Sequence, residues 1–385
     1  MTDEWLPALA RYAERFHAEI GAGHHVASPL GAWLLLALTA SAAPPSEGLA
    51  DALGVEPARA AEIATELLEN PHPMIAAASA VWFGPGLDPR HLTDWRATLP
   101  STTEFGPLPD LAGADRWARE HTFGMIDKFP IEPTRDILLM LASALATRFR
   151  WDVPFDVVPA EALGGPWAAR LQRVLRVPEE GYHLAYVATS RHAGQVIVHS
   201  APASDDSGAQ VRVVSVAAAP DVPPERVIAA AHEIAMRGYE AVSLWDLPLG
   251  DGPLWTIREE MGVAYGTEAV SAVLPSWSAT SEHDLSRPGL GFDAATGTLE
   301  GLIGPGLQSE AKQIATARFD RYGFEAAAVT AFMVTTSAPM ERMLRVAELR
   351  FAHPYAVVAV ANYAGPWDGV PVFSAWVTNP EESAE

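Results

Sequence analysis

Residues Gly323 to Ala331 read Gly-Phe-Glu-Ala-Ala-Ala-Val-Thr-Ala, and the chain continues Phe-Met-Val-Thr-Thr-Ser-Ala to Ala338. The chemistry open to such a stretch is that of the main chain. Alanine loses almost no side-chain entropy on ordering, and the β-branched Val329, Thr330, Val334, Thr335 and Thr336 suit a pleated surface. A run of this kind can pass from a mobile segment to a strand inside a sheet; an alanine-rich helical turn or an ordinary strand is the plainer alternative. Alternation gives an inserted strand two faces, Phe324, Ala326, Ala328, Thr330 and Phe332 on one and Glu325, Ala327, Val329 and Ala331 on the other. The first set is expected to enter a core, with Glu325 outward.

Side chains arranged for catalysis are not found. The sequence holds no Gly-x-Ser-x-Gly elbow, no phosphate-cradling Gly-rich loop with Lys and no His-Glu-x-x-His helix. Gly289-x-Gly291 follows Arg287-Pro288 rather than a strand, which argues against dinucleotide binding. His24 and His25 point in different directions from any backbone and have no acidic or histidine cluster at metal spacing, so they are read as surface histidines. An enzyme is not expected, nor is a metal or cofactor. The absence of cysteine excludes disulfides, thiolate metal sites and a cysteine nucleophile.

Charge and composition narrow the partners. Lys plus Arg number 26 against 48 Asp plus Glu, a formal charge of −22. That surface repels phosphate backbones and anionic lipid, so neither nucleic acid nor membrane is an expected partner. Met1-Thr2-Asp3-Glu4-Trp5 lacks a basic, then apolar leader pattern; the cytoplasm is favoured and export is left open. The apolar stretch Ala32 to Ala43 is about twelve residues long, too short to cross a bilayer. With 49% hydrophobic residues and 12 Trp in 385 residues, a sizeable core is expected, as two packed lobes or one large α+β domain.

The elements that must position the small-residue run follow from periodicity. Leu6, Leu9, Tyr12 and Phe16 share one face of a helix over Trp5 to Ile20. Ser28-Pro29 opens a second, more buried helix with Ser28 as N-cap, closed by Pro44-Pro45. A third runs from Ser46 to Leu53-Gly54. Met74 to Phe83 reads as a strand, Pro89 to Thr98 as a charged helical segment, and 114–128 as an amphipathic helix with Trp117, Phe123 and Ile126 on its apolar side. The unbroken apolar run Ile137 to Ala146 reads as the centre of a large sheet, covered on both faces. Strands are predicted at Tyr182 to Val187, Val196 to His199 and Val211 to Ala217, a helix near Pro223 to Arg237, and strands at Val270 to Trp277, Thr316 to Phe319, Tyr355 to Ala361 and Val370 to Val377. Helices crowd the first third and strands the second half, an α+β order.

Six collinear landmarks now resemble the serpin family. Ser28-Pro29 resembles the opening of its second helix. Trp117, Thr122, Gly124 and Ile126 match Trp-Val-x-x-x-Thr-x-Gly-x-Ile, with Ala118 in place of Val. Ala144 to Phe155, ending Arg150-Trp151-Asp152-Val153-Pro154-Phe155, resembles the strand and turn that end Lys-Trp-x-x-Pro-Phe. Leu274-Pro275-Ser276-Trp277 with Glu282-His283-Asp284-Leu285 resembles Leu-Pro-Lys-Phe followed by Tyr-Asp-Leu, and His353-Pro354-Tyr355 and Phe373-Ser374-Ala375-Trp376-Val377-Thr378-Asn379-Pro380 are similar to the closing Arg-Pro-Phe and Phe-x-Gly-x-Val-x-Asn-Pro strands.

The resemblance implies a single domain over 1–385 with three β-sheets, eight or nine helices and an exposed reactive-centre loop over 322–343. It implies inhibition of a serine protease: the loop is cleaved, its N-terminal part inserts in the central sheet, and the acylated protease is trapped. The hinge is Gly323, Phe324, Glu325, Ala326, Ala327, Ala328, Val329 and Thr330; Trp151, Thr122 and Gly124 belong to the region where the sheet opens. Counting from Gly323 puts the scissile bond between Ser337 and Ala338, suited to an elastase- or subtilisin-like protease. Counting back from Pro354 reaches Met343, which keeps Met340, Arg342 and Met343 open, with a trypsin-like target if Arg342 is used. The alternative is a non-inhibitory binding or scaffold protein on the same fold, and in either case a monomer is expected. Three positions depart from the inhibitory pattern: Phe324, commonly Thr; Tyr322, commonly Glu; and Phe149, commonly Gly. A phenyl ring at the first inserted position overpacks by roughly 1–3 kcal/mol, which as a barrier slows that step by about 5- to 150-fold.

Overall fold

The computed structural model describes residues 5–179, 183–236, 239–264, 266–324 and 340–383. The chain opens with α1 (Trp5–Ile20), which buries Leu9, Tyr12 and Phe16, then β1 (His25–Ala27) and α2 (Pro29–Thr39). The Ser28 hydroxyl accepts the Gly31 N–H at 3.2 Å and Pro29 occupies the first turn, so α2 starts where a capped proline predicts. It ends at Thr39, short of Pro44-Pro45. The third predicted helix is α3 (Leu49–Leu53), stopped by Gly54 at φ +70°.

Next come α4 (Pro57–Glu69), β2 (Ile75–Phe83), α5 (Thr93–Arg96), β3 (Glu104–Pro107), α6 (Leu111–His121), β4 (Leu139–Thr147), β5 (Phe149–Arg150), β6 (Asp156–Pro159), α7 (Gly165–Ala168) and β7 (Arg173–Arg176). The middle of the chain gives β8 (Leu184–Ser190), β9 (Gly194–Ser204), β10 (Gln210–Ala218), α8 (Pro224–Ala235), β11 (Glu240–Ala241), β12 (Gly250–Asp251) and β13 (Trp255–Ala264). The remainder is β14 (Glu268–Leu274), β15 (Trp277–Asp284), α9 (Phe292–Ile303), β16 (Lys312–Phe319), β17 (Gly323–Phe324), β18 (Met340–Arg350), β19 (Tyr355–Asn362) and β20 (Val370–Val377).

Two sheets run without a break among the described residues. One has the order β1-β20-β19-β10-β9-β8-β11, with Val211, Val213, Val214 and Val216 of β10 fully buried, as a central strand covered on both faces requires. The other has the order β12-β13-β18-β14-β7-β6. A third sheet is divided into β3-β2-β4 and β15-β16, and among the described strands its halves are joined where β17 pairs with β5. The large core lies between α1, α2 and these sheets. Trp33, Trp82, Trp95, Trp277 and Trp367 are almost wholly buried, and the indoles of Trp33 and Trp95 donate to the Leu53 and Leu38 carbonyls at 3.0 and 3.1 Å, so tryptophan here packs the core.

Three expectations are corrected. Helix α6 stops at His121 instead of running to 128: the Thr122 hydroxyl donates back to the Ala118 carbonyl at 2.7 Å, and Phe123 and Gly124 take φ +52° and +76°. Phe123, placed by periodicity on the apolar side, is therefore 47% exposed. The β4 run is not central: it pairs with β2 on one side and with no described strand on the other. Finally, His25 is buried, held by His17 at 2.7 Å and by the Gly23 carbonyl at 2.8 Å.

Candidate functional site

The divided sheet is the candidate site, and its joined end is built around Trp151. This buried indole donates to the Asp320 carbonyl at 2.9 Å, and the Trp151 and Phe155 N–H groups donate to the Tyr322 and Arg321 carbonyls at 3.1 and 3.0 Å. The Asp320 carboxylate accepts the N–H groups of Tyr322 and Gly323 at 2.8 and 3.2 Å, and the Asp320 N–H donates to the Gly323 carbonyl at 3.3 Å. The chain is thus turned back on itself at Asp320–Tyr322, an Asx-type reversal.

After the turn Gly323 and Phe324 pair antiparallel with Arg150 and Phe149. Glycine is required at 323, where φ is +155° and an added Cβ would meet the Phe149 carbonyl oxygen at 2.4 Å and the Arg150 Cα at 2.6 Å. Gly323→Ala is expected to cost about 1–3 kcal/mol of backbone strain and to lower the thermal midpoint by a few degrees; an unchanged midpoint would show that the turn does not constrain the pairing.

Below this end β4 and β16 border an open cleft. One part of it is lined by Leu141 to Leu145 of β4 and Lys312 to Ile314 of β16, the other by Thr147 and by Thr316 to Arg318. Thr122 lines the first part and Gly124 the second, so the segment that ends α6 lies over the cleft. The N-terminus of α2 closes the first part. There the Gln313 side-chain amide accepts the Ser28 N–H at 2.9 Å and donates to the Ser28 carbonyl at 2.8 Å, while the Ser143 hydroxyl donates to the Gly31 carbonyl at 2.9 Å. Gln313 and Ser143, which sequence reasoning passed over, thus join the cleft walls to the start of α2.

Of the residues named from the sequence, Trp151, Thr122, Gly124, Gly323 and Phe324 gather at this sheet. Glu325, Ala326, Ala327, Ala328, Val329 and Thr330, with Ser337 and Ala338, lie outside the described residues. Met340, Arg342 and Met343 belong to β18, where they pair with Ala264, Gly262 and Met261 of β13; β14 pairs with β18 from Arg345 onward. Among the described residues no group of three or more histidine or acidic side chains could hold a metal ion, and no helix is long and apolar enough to cross a membrane.

No protein-family model and no curated protein sequence matches this chain. Solved structures do match, along almost its entire length. Thyroxine-binding globulin in complex with thyroxine is 14% identical, with a TM-score of 0.63 over 99% of this chain and 100% of that one. Tengpin, a thermophilic serpin in its native state, is 14% identical with a TM-score of 0.64 over 98% and 95%. Serpin48 of the insect Tenebrio molitor is 16% identical with a TM-score of 0.61 over 99% and 100%. The chain has the serpin fold, α+β with nine α-helices among the described residues. That fold serves inhibitors and binding proteins alike.

Proposed function

We propose that this protein inhibits a serine protease, with residues 325–339 as bait and the cleft between β4 and β16 as the slot that receives them after cleavage at Ser337–Ala338. The observation that carries this reading is the pairing of Gly323 and Phe324 with β5 at the joined end of the cleft, a pairing that would run along β4 if continued. Continuing the antiparallel register sets Glu325 opposite Arg148, Ala326 opposite Thr147, Ala328 opposite Leu145 and Thr330 opposite Ser143. Val334 then reaches Leu139, the far end of β4, so a chain cut after Ser337 spans the slot.

The side chains suit that register. Arg148 is exposed, so Glu325 gains an opposite charge across the strands at the surface. Leu145 and Ser143 face α2, where Leu145 Cδ1 would lie 3.2 Å from a Cβ on Gly31. Alanine and threonine opposite these positions demand the least space. Enough strand hydrogen bonds form, at roughly 0.5–1.5 kcal/mol each, for insertion to release on the order of 10 kcal/mol.

Met340, Arg342 and Met343 are already paired with β13, which favours Ser337–Ala338 as the cut bond, because a protease needs extended, unpaired substrate. A small primary pocket, of elastase or subtilisin type, fits that bond. The test is incubation with elastase, subtilisin and trypsin. A covalent complex on denaturing gels with one of the first two, and cleavage after Ser337, are expected. Cleavage with neither a complex nor a rise in thermal midpoint would refute the trap.

A second reading is a binding protein whose loop is cleaved without trapping. Phe324 opposite Phe149, two large residues where inhibitors commonly carry Thr and Gly, favours it. The register also changes what Phe324 does. Its main chain is paired before any cleavage, so the cost of seating it falls on the uncleaved protein and not on the first step afterwards. Phe324→Thr therefore reports on the stability of the uncleaved sheet.

A further inference from the structure

We infer that the ribbon formed by β13 and β18 carries a docking surface for the same protease, separate from the bond it cuts. Ile257 and Ala347 pair across this ribbon and are buried in the core. Two residues further along the same face are Glu259 and Arg345, and two further are Met261 and Met343. The core ends at Arg345. Its guanidinium donates to the carbonyls of Leu244, Trp245 and Leu247 at 2.9, 2.8 and 3.2 Å, bonds Glu259 at 3.2 Å and stacks 4.9 Å over the Trp245 ring.

Beyond that clamp the inward face of the ribbon runs off the protein body. Met261 and Met343, direct partners, are 57% and 47% exposed, and Trp245, which stacks on Arg345 two residues along β18 from Met343, is 43% exposed. Large apolar side chains clustered on a highly charged protein mark a contact surface.

The occupant follows from distance along the chain, and this step rests on the bait reading above. Met343 is six residues from Ser337, at most about 20 Å of extended chain. A protease of some 250 residues has a radius of gyration of about 18 Å. A body seated on Ser337–Ala338 must therefore overlie the end of the ribbon, on the side of the residues that follow the cut. The surface fits a protease with an apolar rim on that side. Methionine accommodates such a rim because its unbranched side chain repacks readily.

Met261 and Trp245 are outside the bait and outside β18, so replacing them leaves the cleaved sequence intact. Met261→Asp and, separately, Trp245→Ser are compared with Glu260→Gln on the opposite face, each checked for an unchanged thermal midpoint. The second-order rate of loop cleavage by subtilisin and by elastase is expected to fall tenfold or more for Met261→Asp and to hold for Glu260→Gln. Equal rates in wild type and both face variants, with the loop still cut, would overturn the surface and leave the bait reading standing. A wild-type loop cut by neither protease would overturn both. A wild-type dimer in sedimentation that Met261→Asp dissolves would assign the face to a second copy of this chain and overturn the protease as occupant.

Discussion

Ala328→Glu is expected to abolish the covalent protease complex while leaving cleavage of the loop at its wild-type rate. In the continued register Ala328 stands opposite Leu145, on the face of β4 that meets α2, and Leu145 is buried there against the N-terminal turn of that helix. A carboxylate carried into this position loses its water against Leu145 and the start of α2. Even when it is protonated, burying it costs several kcal/mol. Taking about 4 kcal/mol as the added barrier, insertion slows roughly a thousandfold, and hydrolysis of the acylated protease wins. The cut itself precedes insertion, so its rate is untouched. A position three residues earlier makes the comparison: in the same continued register Glu325 falls opposite exposed Arg148, and Glu325→Gln is expected to trap with nearly wild-type stoichiometry. A full-strength complex from Ala328→Glu would refute the register, and with it the slot.

The sequence made faces legible and left edges hidden. The apolar run in β4 does report burial on both sides, by α2 through Leu145 and by α6 through Met140, Ala142 and Ala144, which cluster with Trp117. Periodicity speaks only of those faces. Whether the backbone groups of β4 pair on both edges depends on strands nearly two hundred residues away, so the cleft beside β16 had no local signal. The same limit explains Gln313. Nothing in a lone glutamine announces that its side-chain amide will act as a strand rung for Ser28.

Turn and cap chemistry was legible where a single residue decides it, as at Ser28-Pro29 and Gly54. It failed at α6 because the stop there is a hydroxyl, Thr122, bonded back into the helix, and threonine is common inside helices. Of the small-residue run, the described part, Gly323 and Phe324, lies at the divided sheet. What the run could not reveal is that Phe324 is already paired.

Acidification is expected to unfold this protein between about pH 6.5 and pH 4, well before carboxylate titration is complete. His17 of α1, His25 of β1, His232 of α8 and His283 of β15 meet in one buried cluster. The hydrogen bonds of His17 and His25 admit one set of tautomers. The Gly23 carbonyl can only accept, so His25 Nδ1 donates to it and His25 Nε2 accepts from His17 Nδ1; His17 Nε2 then accepts from the Ser374 hydroxyl. A proton added to His25 Nε2 would face the His17 N–H.

Burial holds every one of these rings neutral, and the charged or chargeable groups that act on them, the other histidines of the cluster, His24 and Arg287, push the same way. His25 and His232 are each lowered from the usual 6.5 to about 4, and His17 lies well below 6.5. The unfolded chain therefore binds more protons than the folded one below pH 6.5. Stability is complete above that pH and declines down to about 4, by about 3 kcal/mol for each of His25 and His232. Two such losses approach the stability of a whole domain.

His232 separates this effect from general acid denaturation, because both of its ring nitrogens are buried without partners among the described residues. His232→Leu removes the titration and an uncompensated polar group together. Its thermal midpoint should match or exceed the wild type at pH 7.5 and fall less steeply toward pH 4.5, the gap widening by several degrees. Parallel profiles for the two proteins would show that the buried histidines do not set the acid limit.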